Sequence, residues 1–111
     1  MTYTHLHCHG VNSLLDGLTK PKDLVIKAKE LGFHSLALTD HGSVSGSIKF
    51  YNACRDNDIN PILGVEAYFV NDASKHEKGD KRYHIILLAK SLNGFKSICK
   101  LMTKAHKEES F

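Results

Sequence analysis

Apolar periodicity that switches repeatedly between two residues and about three and a half is the feature that most limits how this chain can fold. Thr2 to His9 alternates as a β-strand does, carrying His5, His7 and His9. A loop through Asp16 and Gly17 follows. Leu24, Val25, Ala28 and Leu31 then share one face of a predicted helix. Thr19 can cap that helix, Pro21 suits its first turn, and Gly32 suits the position just past its end. Ser35 to Thr39 reads as a short buried strand closed by Asp40-His41-Gly42. Ser45 to about Asn57 reads as a second helix with Ile48, Tyr51 and Cys54 inward. Asn60-Pro61 breaks it, and Ile62 to Val70 is a third strand. A polar loop from Asn71 to Arg82 leads to a fourth strand, Tyr83 to Ala89, apolar on both faces. Phe95, Ile98, Cys99, Met102 and Ala105 repeat at helical spacing through a last helix ending near Glu108.

Strands alternating with helices of about 10–15 residues predict an α/β fold with βαβ units and a parallel sheet. Such sheets bind ligands at the carboxyl ends of their strands. The 111 residues, 1–111, make a single domain at most, since a domain averages roughly 150 residues. With 41% apolar residues the chain can build a core, and it is too apolar and too mixed in charge to be disordered. Its longest apolar run, Ile85 to Ala89, is far short of the about 20 residues of a membrane helix. No basic-then-apolar leader opens the sequence. Three widely spaced cysteines, Cys8, Cys54 and Cys99, argue against a disulfide framework and for a cytoplasmic setting. Only Arg55 and Arg82 are arginine among fifteen basic residues, so base-specific DNA reading is not the first expectation.

Metal-competent side chains recur on every predicted strand. His7 and His9 close the first, and alternation sends both from one face about 6–7 Å apart. His41 ends the second, Glu66 lies within the third, and His84 lies within the fourth. Asp16 is on the loop leaving the first strand. An isolated strand histidine is usually a satisfied core residue, but six such residues at successive strand ends point to metal. Four imidazoles and two carboxylates suit zinc, manganese or iron. A carboxylate among histidines can bridge two ions, and paired ions about 3.5–4 Å apart clamp both oxygens of a phosphoryl ester. His5 is read as supporting those ligands from behind, and Asp40 as giving an orienting hydrogen bond. His34, His76 and His106 are read as surface residues. Lys96, Lys100, Lys104 and Lys107 read as a solvated helix face, with nucleic-acid phosphate as the lesser alternative.

The run His5-Leu-His-Cys-His9, then Ser13-Leu-Leu-Asp-Gly17 and Ala37-Leu-Thr-Asp-His-Gly42, resembles the polymerase-and-histidinol-phosphatase (PHP) domain. Phe50-Tyr51, Pro61-Ile-Leu-Gly-Val-Glu-Ala-Tyr68 and Tyr83-His-Ile-Ile-Leu-Leu-Ala-Lys90 look like its polymerase branch, the amino-terminal domains of bacterial-type DNA polymerase III alpha subunits. The similarity runs from about Thr4 onward. It implies a distorted seven-stranded (β/α) barrel with up to three divalent ions, usually zinc, manganese or iron. It places metal ligands at His7, His9, Asp16, His41, Glu66 and His84, with His7, His9, His41 and Glu66 acting in catalysis through bound metal. Gly10 stands where those polymerases usually have serine, and Asn12 replaces a common aromatic.

The resemblance further implies that the barrel is incomplete here: four strands and three helices, with Lys107-Glu-Glu-Ser-Phe111 at the point where the family sequence enters its next strand. The expected partners are the remainder of a polymerase chain or a complementary carboxy-terminal fragment, with DNA in the full-length context and no membrane. The implied function is the PHP portion of a replicative DNA polymerase, with 3′–5′ exonuclease or phosphoesterase activity. The alternatives are a stand-alone PHP phosphoesterase and a non-catalytic scaffold.

Overall fold

Pro21 opens the first helix, where its missing N–H costs nothing and its fixed φ is already helical. The computed structural model, which describes residues 3–72, 74, 75, 78, 79 and 81–107, runs α1 (Pro21–Glu30), β1 (Ser35–Leu38), α2 (Ser47–Asp56), β2 (Asn60–Phe69), β3 (Tyr83–Leu88) and α3 (Leu92–Lys107). The N-cap of α1 is Lys20 rather than the expected Thr19, and no side chain caps it. Asp23 in its first turn and Lys27 and Lys29 in its last suit the helix dipole instead. Gly32, at φ +80°, turns the chain out of the helix as expected of a residue past the end. Val25 and Ala28 are buried, whereas Leu31, expected on the same face, is half exposed.

In α2 the inward stripe is Phe50, Ala53 and Cys54, and the expected Ile48 and Tyr51 face outward. Residues three and four apart share a helix face, and Phe50 rather than Tyr51 sets which face is buried. Val25, Ala28, Leu36, Leu38, Phe50, Ala53, Cys54 and Ile59 then close one core. A second, smaller core is formed by Ile98 and Met102 of α3 against Val65 of β2. Phe95 and Cys99 are half-buried, and Ala105 is exposed. Lys96, Lys100, Lys104 and Lys107 are all exposed. No described helix is long and apolar enough to cross a membrane.

The sheet has the order β1-β2-β3. β1 and β2 are joined through α2 and pair in parallel, from Ser35 with Asn60 to Leu38 with Leu63. β3 departs from the predicted all-parallel sheet. It pairs antiparallel to β2, from Gly64 with Leu88 to Phe69 with Tyr83. The connection between them holds no helix among the described residues, so the chain turns straight back. The polar loop expected over 71–82 is irregular where described. His76, within it, lies outside the described residues, as do Glu108 and the rest of the segment to Phe111.

The first predicted strand is not a regular one, so the described sheet has three strands, not four. Its backbone still pairs with β1: the Ala37 amide donates to the His5 carbonyl at 3.0 Å, and the Thr39 amide to the Cys8 carbonyl at 2.8 Å. The two steps from Ala37 to Thr39, just past the end of β1, are thus matched by three in the segment, from His5 to Cys8. One extra residue is accommodated as in a β-bulge, and the ladder is interrupted. Thr39 secures the irregular stretch by accepting from the Cys8 amide at 3.0 Å through its hydroxyl.

Candidate metal centre

β2 carries the centre of the site. Strand alternation puts Val65 into the smaller core and turns Glu66 to the opposite face, where it is 3% exposed. The Glu66 amide donates to the Asp40 carbonyl and its own carbonyl accepts from the Gly42 amide, at 3.0 and 2.9 Å. These bonds extend the parallel pairing past the end of β1 as an isolated bridge between His41 and Glu66. His41 therefore leaves the carboxyl end of β1 directly beside the carboxylate. The antiparallel run of β3 delivers His84 from its amino end to the same rim, with His84 opposite Tyr68. The carboxyl-end rule thus holds for β1 and β2 and reverses for β3.

Four imidazoles surround the one carboxylate. His7 Nε2 lies 2.8 Å from Glu66 Oε1, and His84 Nδ1 lies 3.6 Å from the same oxygen. His41 Nδ1 and His9 Nε2 lie 2.6 and 3.5 Å from Oε2. Asp16 joins from its loop: Oδ2 meets His9 Nδ1 and lies 3.2 Å from His41 Nε2. His7 and His9 bring their Nε2 atoms within 3.2 Å of each other. All six sequence-predicted residues thus gather at one rim. His7, His9 and Glu66, and separately His9, Asp16 and His41, form sets that could each hold an ion, with His9 common to both.

Glu66 Oε2 is buried and accepts no hydrogen bond of workable angle among the described residues, although His41 Nδ1 is only 2.6 Å away. A buried carboxylate oxygen left so is costly unless a cation satisfies it. Two ligands of one ion, each about 2.0–2.2 Å from it, stand about 3 Å apart, which is the spacing these atoms keep. The donor set and its orphaned oxygen therefore fit a divalent metal.

The loop holding Asp16 is fixed from three sides. Ser13, fully buried, accepts a 3.1 Å hydrogen bond from the His41 amide through its Oγ. Leu15 takes a left-handed φ of 65°, rare for a side-chain-bearing residue, at the step before Asp16. Gly17 packs so tightly on Gly10 that a Cβ there would overlap the Gly10 carbonyl. Asp40 supplies the expected orienting bond, to backbone: Gly10 N donates to its Oδ1 at 2.7 Å. Burial pushes the Asp40 carboxyl up, opposed by that bond and by the nearby His9 and His41. Burial also pushes the Cys8 thiol up, so this residue between His7 and His9 packs as a thiol against the larger core.

His5 is not behind the candidate ligands. Its ring packs 4.8 Å from Tyr3 and 5.2 Å from Phe33, away from Glu66, because the extra residue between His5 and Cys8 resets the alternation that would have aligned it with His7. His34 and His106 are exposed, as expected. Three residues at the site carried no sequence-derived role. Ser13 anchors His41, Tyr68 lies 5.1 Å from the His84 ring and 6.3 Å from His41, and Arg82 holds its Cζ 6.0 Å from the Tyr68 ring centre. Tyr68 is two residues from Glu66 and Arg82 two from His84, a period-two signal that could have revealed both.

Residues 5–111 match the PHP domain family. The chain is 44% identical over 96% of its length to the DNA polymerase III subunit alpha of Aquifex aeolicus, and 40% identical over 97% to that of Chlamydia pneumoniae. It spans about a tenth of the length of these relatives, 10% and 9%. Its fold is similar to an amidohydrolase from Chromobacterium violaceum solved with bound sulfate and no metal (TM-score 0.64, 24% identity, 87% of this chain and 32% of that one). It is also similar to a proposed metal-dependent phosphoesterase from Bifidobacterium adolescentis (TM-score 0.63, 22% identity, 90% of this chain and 33% of that one).

Proposed function

The chain belongs to the PHP domain family, and from that premise we propose that it is the amino-terminal PHP portion of a DNA polymerase III alpha-type replicative polymerase, a metal-binding module acting on phosphoesters as a 3′–5′ exonuclease. The observation that carries the reading is the buried, orphaned Oε2 of Glu66 within reach of His41 and His9. His7, His9, Asp16, His41, Glu66 and His84 are its ligands, with zinc, manganese or iron as occupants and up to three ions in a completed barrel. Such ions lower the pKa of bound water and clamp the oxygens of an in-line displacement.

The chain's own residues set the geometry. Glu66 faces both ligand sets from a rigid strand, and its burial keeps bulk water off the inner wall. His9 is shared between the sets, so it fixes their separation. Asp16 and His41 form the outer wall; Ser13 holds the His41 backbone in place, and Asp40 holds the Gly10 backbone next to His9. The proposed partners are the rest of the polymerase chain and DNA, in the cytoplasm with no membrane contact. The likeness to a proposed metal-dependent phosphoesterase supports a second reading, a free-standing PHP phosphoesterase.

Elemental analysis and a 3′-labelled primer assay on the full-length protein test this. We expect bound transition metal and 3′-end release, both lost when His7 and His9 are replaced by alanine. Unchanged metal content and nuclease activity in that variant would overturn the catalytic reading.

A further inference from the structure

Arg82 lies at the edge of the site with an unusual support. It is one of two arginines in the chain and stands two residues before His84, immediately ahead of β3. Its guanidinium lies over the Tyr68 ring, Cζ 6.0 Å from the ring centre, and it makes no ion pair with a carboxylate among the described residues. Tyr68, on the face of β2 that Glu66 occupies, has its other neighbours in the candidate metal centre: His84 at 5.1 Å and His41 at 6.3 Å. The ring is thus in contact both with the imidazole cluster and with an exposed, permanently charged fork.

We propose that Arg82 binds a non-scissile phosphate of a nucleic-acid strand whose scissile phosphate lies at the imidazole–carboxylate cluster, and that Tyr68 is the positioning residue holding the guanidinium there. A planar guanidinium matches two phosphate oxygens at once, and an aromatic face restrains it without consuming its donors. Arg82 and His84 stand two residues apart, about 6–7 Å along an extended chain, and both neighbour the Tyr68 ring. The guanidinium is therefore placed for the next phosphate along a strand, and the substrate class is an oligonucleotide rather than a simple monophosphate. This inference rests on the phosphoester reading of the same rim.

The test compares two thymidine dinucleotides on the full-length protein, pTpT with a second phosphate and TpT without one, by calorimetric binding and by hydrolysis. Binding of pTpT should be about tenfold tighter than that of TpT, the size of effect a charge-assisted hydrogen bond produces. In Arg82→Ala that preference should vanish, KM for pTpT should rise about tenfold, and kcat and metal content should hold. Tyr68→Leu should lose part of the preference and Tyr68→Phe should keep it. Comparison with the Arg82 variant isolates this site from any other in the full chain. Equal binding of the two dinucleotides by the unaltered protein, or a preference surviving in Arg82→Ala, would overturn the proposal. So would an equal loss for TpT and pTpT, which would put Arg82 on the scissile phosphate. Because binding is read without turnover, a protein lacking nuclease activity or metal would defeat the phosphoester reading while the dinucleotide preference still decides this one.

Discussion

The amide of Gly10 donates a 2.7 Å hydrogen bond to Oδ1 of Asp40, tying the residue after His9 to the residue before His41. Asp40 is 2% exposed, so its acceptor has no substitute in solvent. Replacing it with alanine should cost about 1–3 kcal/mol, the penalty for leaving a buried donor unpaired. Asn keeps an acceptor at that place and should cost less. Urea unfolding of the two variants checks the order, and equal costs would contradict it.

Glu66→Gln removes the charge of the buried carboxylate that belongs to one ligand set and lies beside His41 of the other, while keeping the side chain's shape. We expect loss of bound metal with little change in circular dichroism. An ion present at a hundred times its dissociation constant adds about 2.7 kcal/mol to stability. The unaltered protein should therefore melt lower after chelation, and Glu66→Gln should melt alike with and without chelator.

Gly17→Ala would press a methyl group against the Gly10 carbonyl. Backbone cannot swing aside as a flexible side chain can, so a cost of about 1–3 kcal/mol is expected. The displaced loop carries Asp16, so affinity at the set His9, Asp16 and His41 should fall more than at His7, His9 and Glu66. Metal titration followed by elemental analysis should show one class of sites weakened and the other spared.

Burial pushes the Cys54 thiol up to about 12, from an ordinary 9.0. Between those values the folded chain keeps a proton that the unfolded chain releases. Stability must therefore fall as pH rises through that window. A thiol reagent at pH 8 should leave Cys54 unmodified until denaturant is added, and the urea midpoint should drop above pH 9.

Much of this arrangement is legible in the amino-acid sequence, for reasons that differ by element. Val25 and Ala28 reveal α1 because their spacing needs no knowledge of the rest of the chain. Glu66 stands out because an acid between Val65 and Ala67 is expensive unless it has work to do. The direction of β3 is not legible, since a short apolar run such as Ile85 to Leu88 reads the same paired parallel or antiparallel. Helical spacing places Cys54 inward correctly and Ile48 and Tyr51 wrongly, because the choice between Phe50 and Tyr51 depends on what α1 offers opposite. His5 escapes the pattern because strict alternation does not survive a backbone irregularity that no side chain announces.

That irregularity between His5 and Cys8 makes the opening segment sensitive to length more than to composition. Several of its side chains, Tyr3, His5 and Leu6 among them, are exposed and should accept many replacements. Removing Leu6 alone would restore an even count between His5 and Cys8, swing His7 and His9 half a pleat out of phase with β1, and silence the rim without altering any residue that lines it.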